Sequence, residues 1–422
     1  MASPKMQVSP RMISLEHLLL TGNTTALEAF WLDVAAHGAP LIEAIEGDDT
    51  HVLVTFLWRG HGNTHSVVVF IGPASWERPT DHQMTRLLDT DLWYKTYWLR
   101  ADLRTTYEFS PNDPLTPIQY QEFWTRLVPD PLNTRHFTYP KDEEDPKAQD
   151  LVMSILELPQ APRQTWILPR PGVAQGQVER HRLRSQILDN ERCIWVYTPP
   201  KYTKSSEPYR LLLLFDGGEY LHLVPTPTIL DNLLHEGEIP PLVTVLIDTL
   251  GQTRNQELPC HQPFVDFLTQ ELLPWVYERY SVTHDPAQTT IAGSSYGGLA
   301  AAFAGLRASN FFGNVLSQSG QFQWNTDSET NIPQEWLTQQ FITSPRVPVR
   351  FYLEAGLQEQ GRLAATVPSN RHLRDVLALK GYEVHYAEFN GGHEFLCWRG
   401  SLADGLLNLI GHQSTHDLAD VP

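Results

Sequence analysis

The chain has 422 residues, of which 41% are hydrophobic, 10% aromatic and 19% charged, a composition that excludes a disordered or fibrous protein and exceeds one ordinary core. Its formal charge of −18 speaks against nucleic acid or an anionic membrane surface as the main partner, because phosphate groups call for a basic surface. Three scattered cysteines, Cys193, Cys260 and Cys397, make no disulfide framework and fit a reducing compartment. Met1 to Asn23 holds only the short apolar run Leu18-Leu19-Leu20, too little for a signal-peptide core, and no stretch is long and apolar enough to span a bilayer. A cytoplasmic protein without membrane insertion is expected.

The first region, to about Pro140, is β-rich. One helix is predicted over Thr24 to Val34, followed by β-branched or alternating runs at Leu41–Ile45, His51–Trp58, Ser66–Ile71, Trp93–Leu99 and Arg104–Phe109. Turn clusters such as Glu46-Gly47-Asp48-Asp49 and Arg59-Gly60-His61-Gly62-Asn63 separate them, the pattern of an all-β sandwich. Most of its aromatics read as core; Trp58, beside Arg59 and a glycine-rich turn, is a candidate ligand contact. Lys141-Asp142-Glu143-Glu144-Asp145-Pro146-Lys147 is a charged, proline-containing run of linker type. The expected division is a sandwich-like domain over 1–145, a linker over 146–160 and a second domain over 161–422.

From about Leu156 strands and helices alternate. Gln177–Leu183, Cys193–Thr198, Arg210–Phe215, Leu242–Asp248, Val315–Ser319, Val349–Ala355 and Tyr382–Phe389 read as strands, and Gln262–Tyr280 as an amphipathic helix with Phe264, Phe267, Leu268 and Leu272 on one face. This alternation predicts an α/β domain with a mostly parallel, doubly wound sheet.

Within it stands Gly293-Ser294-Ser295-Tyr296-Gly297, a Gly-x-Ser-x-Gly sequence preceded by the strand-like Gln288-Thr289-Thr290-Ile291-Ala292 and followed by the helix-forming Leu299–Ala304. Strand, tight turn and helix in that order make a nucleophile elbow, in which glycines allow a turn sharp enough to expose the Ser295 hydroxyl. In this α/β-hydrolase arrangement the partners follow in the order Ser, acid, His. The candidate base is His393, in Asn390-Gly391-Gly392-His393-Glu394 directly after the last strand; His372 and His385 fall within a helix and a strand. The candidate acid is Glu359, three residues beyond Gly356; Glu354 inside the strand is the alternative, and a Ser-His dyad a third. Oxyanion donors are expected from the amide of Tyr296 and from Gly217 and Gly218 in Phe215-Asp216-Gly217-Gly218-Glu219-Tyr220. No second histidine follows His393 at helical spacing, so the zinc-protease pattern is absent, and neither metal nor cofactor is expected.

Taken together, Asp216-Gly217-Gly218, Asp248 with Arg254-Asn255-Gln256-Glu257-Leu258, Phe267 to Pro274, Ala292 to Leu299, and Gly391-Gly392-His393-Glu394 with Trp398-Arg399 resemble the enterochelin esterases, which also carry a sandwich-like domain ahead of the hydrolase. The resemblance covers nearly the whole chain. It implies a ferric catecholate siderophore as substrate, cut at the serine ester bonds of a tri(dihydroxybenzoyl-serine) scaffold so that the iron can be released by reduction. By position it carries over Ser295 and His393, and the acid less directly. Such a substrate is an anion and the protein is acidic, so local cations are needed; Arg254 and Arg399 are the candidates, with Trp398 as a pocket wall. A salt bridge to Glu257 is the structural alternative for Arg254. The rival readings are an esterase of a feruloyl or acetyl ester, and a non-catalytic binding protein on the same scaffold.

Overall fold

Short strands joined by turns in the first part of the chain, and strands alternating with helices in the second, build separate sheets. The computed structural model describes residues 8–118, 123–141, 149–204, 207–326 and 335–412, so the charged run, from Asp142 to Lys147, lies outside the described residues. Contacts divide the chain into two units. The smaller comprises the residues to Pro162 together with Gln358–Arg362 and Asn390–Leu396; the larger comprises Arg163–Leu357, Leu363–Phe389 and the remainder from Cys397.

In the smaller unit lie β1 (Leu41–Ile45), β2 (Asp48–Arg59), β3 (Val67–Ile71), β4 (Thr85–Arg86), β5 (Leu92–Arg100), β6 (Arg104–Pro111), β7 (His136–Tyr139) and β8 (Leu151–Glu157). They form two four-stranded sheets, in the orders β1-β2-β5-β4 and β3-β6-β8-β7. Val52, Val54 and Phe56 from one sheet meet Val67, Val69, Tyr107 and Phe109 from the other in a shared core, which makes the unit a sandwich. Trp58 follows the same period-2 register and packs, half-buried, against that core, its ring 5.3 Å from Phe109. The linker expectation needs correcting. Residues 151–157 are strand β8, paired with β6 and β7, because the apolar run from Leu151 to Leu156 has a sheet to bury against. A helix over Pro10–Leu20, which the sequence analysis did not foresee, starts where Ser9 Oγ accepts the Met12 amide over 3.2 Å and Pro10 takes the first turn.

The larger unit holds β9 (Gln177–Ser185), β10 (Asn190–Thr198), β11 (Arg210–Leu214), β12 (Leu242–Ile247), β13 (Thr289–Ser294), β14 (Asn314–Gln318), β15 (Arg350–Gly356) and β16 (Val384–Phe389). These make one sheet in the order β16-β15-β14-β13-β11-β12-β10-β9. Its six strands from β16 to β12 are parallel, and β10 and β9 extend it antiparallel. Val315 and Phe351 pack with residues of the helices Gln262–Phe267 and Tyr296–Arg307, while Leu316 and Tyr352 point the other way, toward Gly405 of the helix Phe395–Ile410. The sheet is thus covered on both faces, as an α/β-hydrolase sheet must be. The long helix expected over 262–280 is present as Gln262–Phe267, a π segment Leu268–Leu272 and Leu273–Arg279; Pro274, lacking an N–H, accounts for the widened turn. No described helix is long and apolar enough to cross a membrane.

A buried polar network lies at the ends of β14 and β15. The Gln318 carboxamide accepts from Tyr220 Oη over 2.6 Å, and its Nε2 lies 3.1 Å from Glu354 Oε1, 3.0 Å from Trp398 O and 2.8 Å from Ser401 Oγ. Ser401 also donates to Glu354 over 2.5 Å. Burial pushes the Glu354 carboxyl up to about 7, the Ser401 and Gln318 hydrogen bonds only partly opposing it. The folded protein therefore keeps a proton that the unfolded chain releases near 4.5, so stability falls as pH rises between about 4.5 and about 7, by roughly 3 kcal/mol from this group. Melting curves at pH 5 and pH 8 should show a smaller loss for Glu354→Gln than for the wild type; equal losses would exclude this assignment.

Candidate active site

The sharp turn after β13 puts Ser295 at φ 57° and ψ −123°, a strained conformation for a residue with a side chain, ahead of the helix Tyr296–Arg307. Two close approaches require the flanking glycines. A Cβ on Gly293 would stand 2.8 Å from the Gly297 carbonyl carbon, and one on Gly297 would stand 3.3 Å from Asp216 Oδ2. The Ser295 backbone is fixed by its own amide to Gln318 O over 2.9 Å and by the amides of Leu299 and Gln321 to its carbonyl, over 3.1 and 3.2 Å.

The loop after β11 supplies the second part. Asp216 is left-handed, at φ 53° and ψ 49°, and opens the short helix Gly217–His222. Gly217 is there because a Cβ would come within 2.7 Å of Ile247 N and Leu246 C, atoms of the β12 backbone that cannot yield. Gly217 and Gly218 are the first two residues of their helix and Tyr296 the first of its own, so their amides have no acceptor within the helix and can serve a developing negative charge.

Beside these amides sits Asp216, whose charge would oppose an oxyanion. Arg254 cancels it: Nε donates to Oδ1 over 2.6 Å and Nη2 to Oδ2 over 2.7 Å, and the Thr249 hydroxyl donates to Oδ1 as well. The sequence analysis offered Glu257 as the partner of Arg254. Glu257 instead takes the buried guanidinium of Arg192 over 2.9 Å, and Arg254 is spent on Asp216.

The structure brings His393 and Glu359 together. Nδ1 of the imidazole lies 2.8 Å from Glu359 Oε2, in side chains that are 12% and 0% exposed. Glu359 follows the end of β15 by three residues and His393 follows β16 by four, so both loops leave strands of the sheet that carries the elbow. Glu354 is placed elsewhere, inside the Gln318 network. Trp398 is 3% exposed and donates Nε1 to Ser319 Oγ over 3.0 Å, which leaves it almost no surface for a ligand and corrects its expected role as a pocket wall. Arg399, half-buried, donates Nε to Gln164 Oε1 over 2.8 Å. Sequence reasoning missed Asp216, Thr249 and Gln318. A glutamine inside the predicted strand Val315–Ser319 was the available signal for the last.

This arrangement can be set beside known proteins. Residues 53–167 match the family model described as "Enterochelin esterase, N-terminal", and residues 185–409 match "Putative esterase". The iron(III) enterobactin esterase of Dickeya dadantii is 33% identical over 93% of this chain and 95% of its own. The crystal structure of ferric enterobactin esterase from Salmonella typhimurium is similar at TM-score 0.74 and 30% identity, covering 90% of this chain and 98% of that one. The Shigella flexneri enterobactin esterase, solved in the presence of enterobactin, gives TM-score 0.71 and 30% identity over 88% and 96%. The Gly-x-Ser-x-Gly turn and the His393–Glu359 pair thus occur in a chain matched over both of its parts, and the chain belongs to the enterochelin esterase family of carboxylic ester hydrolases.

Proposed function

We propose that this chain hydrolyses the serine ester bonds of a ferric catecholate siderophore, an enterobactin-like trilactone, to dihydroxybenzoyl-serine units. The observation that carries the reading is the hydrogen-bonded pair of His393 and Glu359 in a chain that also holds an intact elbow at Ser295 and whose relatives are named for iron(III) enterobactin. The ferric ion is part of the substrate. Breaking the scaffold weakens the chelate, and the reading places this step in the cytoplasm, where reduction then frees the iron.

In the proposed cycle Nε2 of neutral His393 takes the proton of Ser295 as Oγ attacks the ester carbonyl. The Tyr296 amide and the Gly217 and Gly218 amides receive the oxyanion. As the tetrahedral intermediate collapses, His393 passes its proton to the departing serine alkoxide, and an acyl-enzyme on Ser295 remains. Water, activated by the same imidazole, attacks that ester, and the proton returns to Ser295. Glu359 holds the Nδ1 proton and with it the tautomer that leaves Nε2 basic, and its charge stabilises the imidazolium. Arg254 and Arg399 are the cations proposed to meet the anionic substrate. Arg254 is half of an ion pair, so its contribution is mainly to keep Asp216 from repelling that charge.

Incubation with ferric enterobactin followed by chromatography with mass detection should yield dihydroxybenzoyl-serine or its oligomers from the wild type and none from Ser295→Ala. Products from Ser295→Ala at the wild-type rate would remove the central assignment. Glu359→Gln should keep the fold and lose kcat by about 100-fold or more, the loss expected when the orienting carboxylate is neutralised. Gly217→Ala must shift the oxyanion loop away from β12, and its kcat should fall about 100-fold with little change in KM, which steady-state kinetics will resolve.

A further inference from the structure

The segments that carry the acid and the base, Gln358–Arg362 and Asn390–Leu396, group by contact with the sandwich. Named interactions within that unit account for this. The amide of Arg104, at the start of β6, donates to Asn390 O over 3.1 Å, and Arg104 forms a parallel bridge with Gly391. Two residues along, Thr106 N lies 3.3 and 3.2 Å from the two carboxylate oxygens of Glu394, the residue next to His393. Asn390 Nδ2 donates to Asp102 Oδ1 over 2.7 Å, and Asn390 Oδ1 accepts from Gln358 Nε2 over 2.7 Å. Gln358 N donates to Gly391 O over 3.0 Å, which joins the acid loop to the base loop. The acid loop has a second hold at its far end. Arg362 N donates to Glu77 Oε1 over 2.8 Å, and the Arg362 guanidinium lies 5.9 Å from the centre of the Trp76 ring.

The catalytic side chains are therefore bracketed. His393 stands between Gly391 and Glu394, both fixed on β6, and Glu359 between Gln358 and Arg362, both held. A loop that opens Gly391-Gly392 has little stiffness of its own, since glycine leaves the backbone free, so its geometry must come from what it touches. Glu108, fully buried on the same strand, has its carboxyl pushed well up by burial and by the Glu394 charge. Strand β6 therefore presents Glu394 with the Thr106 backbone donor, on which the carboxylate is seated.

We propose that the sandwich is a positioning element for the acid–base pair, with Glu394, Asn390 and Asp102 holding His393 and Glu77 holding Glu359. The proposal rests on the assignment of Ser295, His393 and Glu359 made above. It assigns the N-terminal sandwich a part in turnover of every ester, including one too small to reach it, because misplacing a catalytic group by about 1 Å can cost 100-fold.

The test uses the full chain and p-nitrophenyl acetate. Glu77→Ala, Asp102→Ala and Glu394→Ala should each lower kcat by between about 10- and 100-fold while KM stays within about twofold. Glu77→Gln and Glu394→Gln keep an acceptor oxygen and should recover most of the loss. Glu77 is exposed and Asp102 half-exposed, so their substitution leaves the core of the sandwich intact even if Glu394→Ala unfolds it. Glu77→Ala and Asp102→Ala variants that melt with the wild type and match its kcat would overturn the proposal. A His393→Ala enzyme as active as the wild type would overturn the catalytic assignment itself, and this proposal with it.

Discussion

The close approach of Gly293 to Gly297 is the constraint on which the larger unit depends. It holds Ser295 in a backbone conformation that costs on the order of 1–3 kcal/mol in isolation, and the cost is tolerated because both neighbours of the turn are over-determined. On one side the turn is clamped by Gln318, whose carbonyl takes the Ser295 amide while its side chain is gripped by Tyr220, Glu354 and Ser401. On the other side Gly297 leaves room for the Asp216 carboxylate. The strained backbone at Ser295 is thus the outcome of packing in which no larger residue fits at Gly293.

Charge is handled by local pairing, as it has to be in a protein with a formal charge of −18. Asp216 shapes the oxyanion loop through its left-handed backbone, yet its carboxylate stands close to where negative charge would develop. The bidentate contact from Arg254 turns that liability into a neutral clamp. Arg192 and Glu257 form a second buried pair beside it. Such pairs add little net stability, because desolvation offsets much of their attraction, but removing one partner strands the other. Their value here is geometric: the Arg254 contact fixes the Asp216 carboxylate at the start of the loop after β11.

The acid and base are held by a different principle. Their loops follow β15 and β16 of the catalytic sheet, but hydrogen bonds from β6, Asp102 and Glu77 of the sandwich fix them at several points. A domain that the sequence shows as a separate β-rich block therefore contributes backbone donors and carboxylates to the immediate support of the His393–Glu359 pair.

Much of this was legible from the residues alone. Period-2 alternation gave the sandwich strands, continuous apolar runs gave the buried parallel strands, and Gly-x-Ser-x-Gly between a strand and a helix gave the elbow, because each is a local pattern whose meaning is set by backbone sterics within a few residues. The position of Glu359 after a turn glycine and of His393 after the last strand was equally local. Strand β8 escaped the sequence reading for the opposite reason: whether an apolar run is buried depends on the strand laid against it. The partner of Arg254 was likewise undetermined, since Glu257 is three residues away in sequence and Asp216 thirty-eight. Sequence by itself determined which groups are candidates for the chemistry and in what order they stand; tertiary structure alone decided which carboxylate meets His393, which neutralises Arg254, and that the sandwich holds the loops of Glu359 and His393, because each depends on contacts between segments distant in the chain.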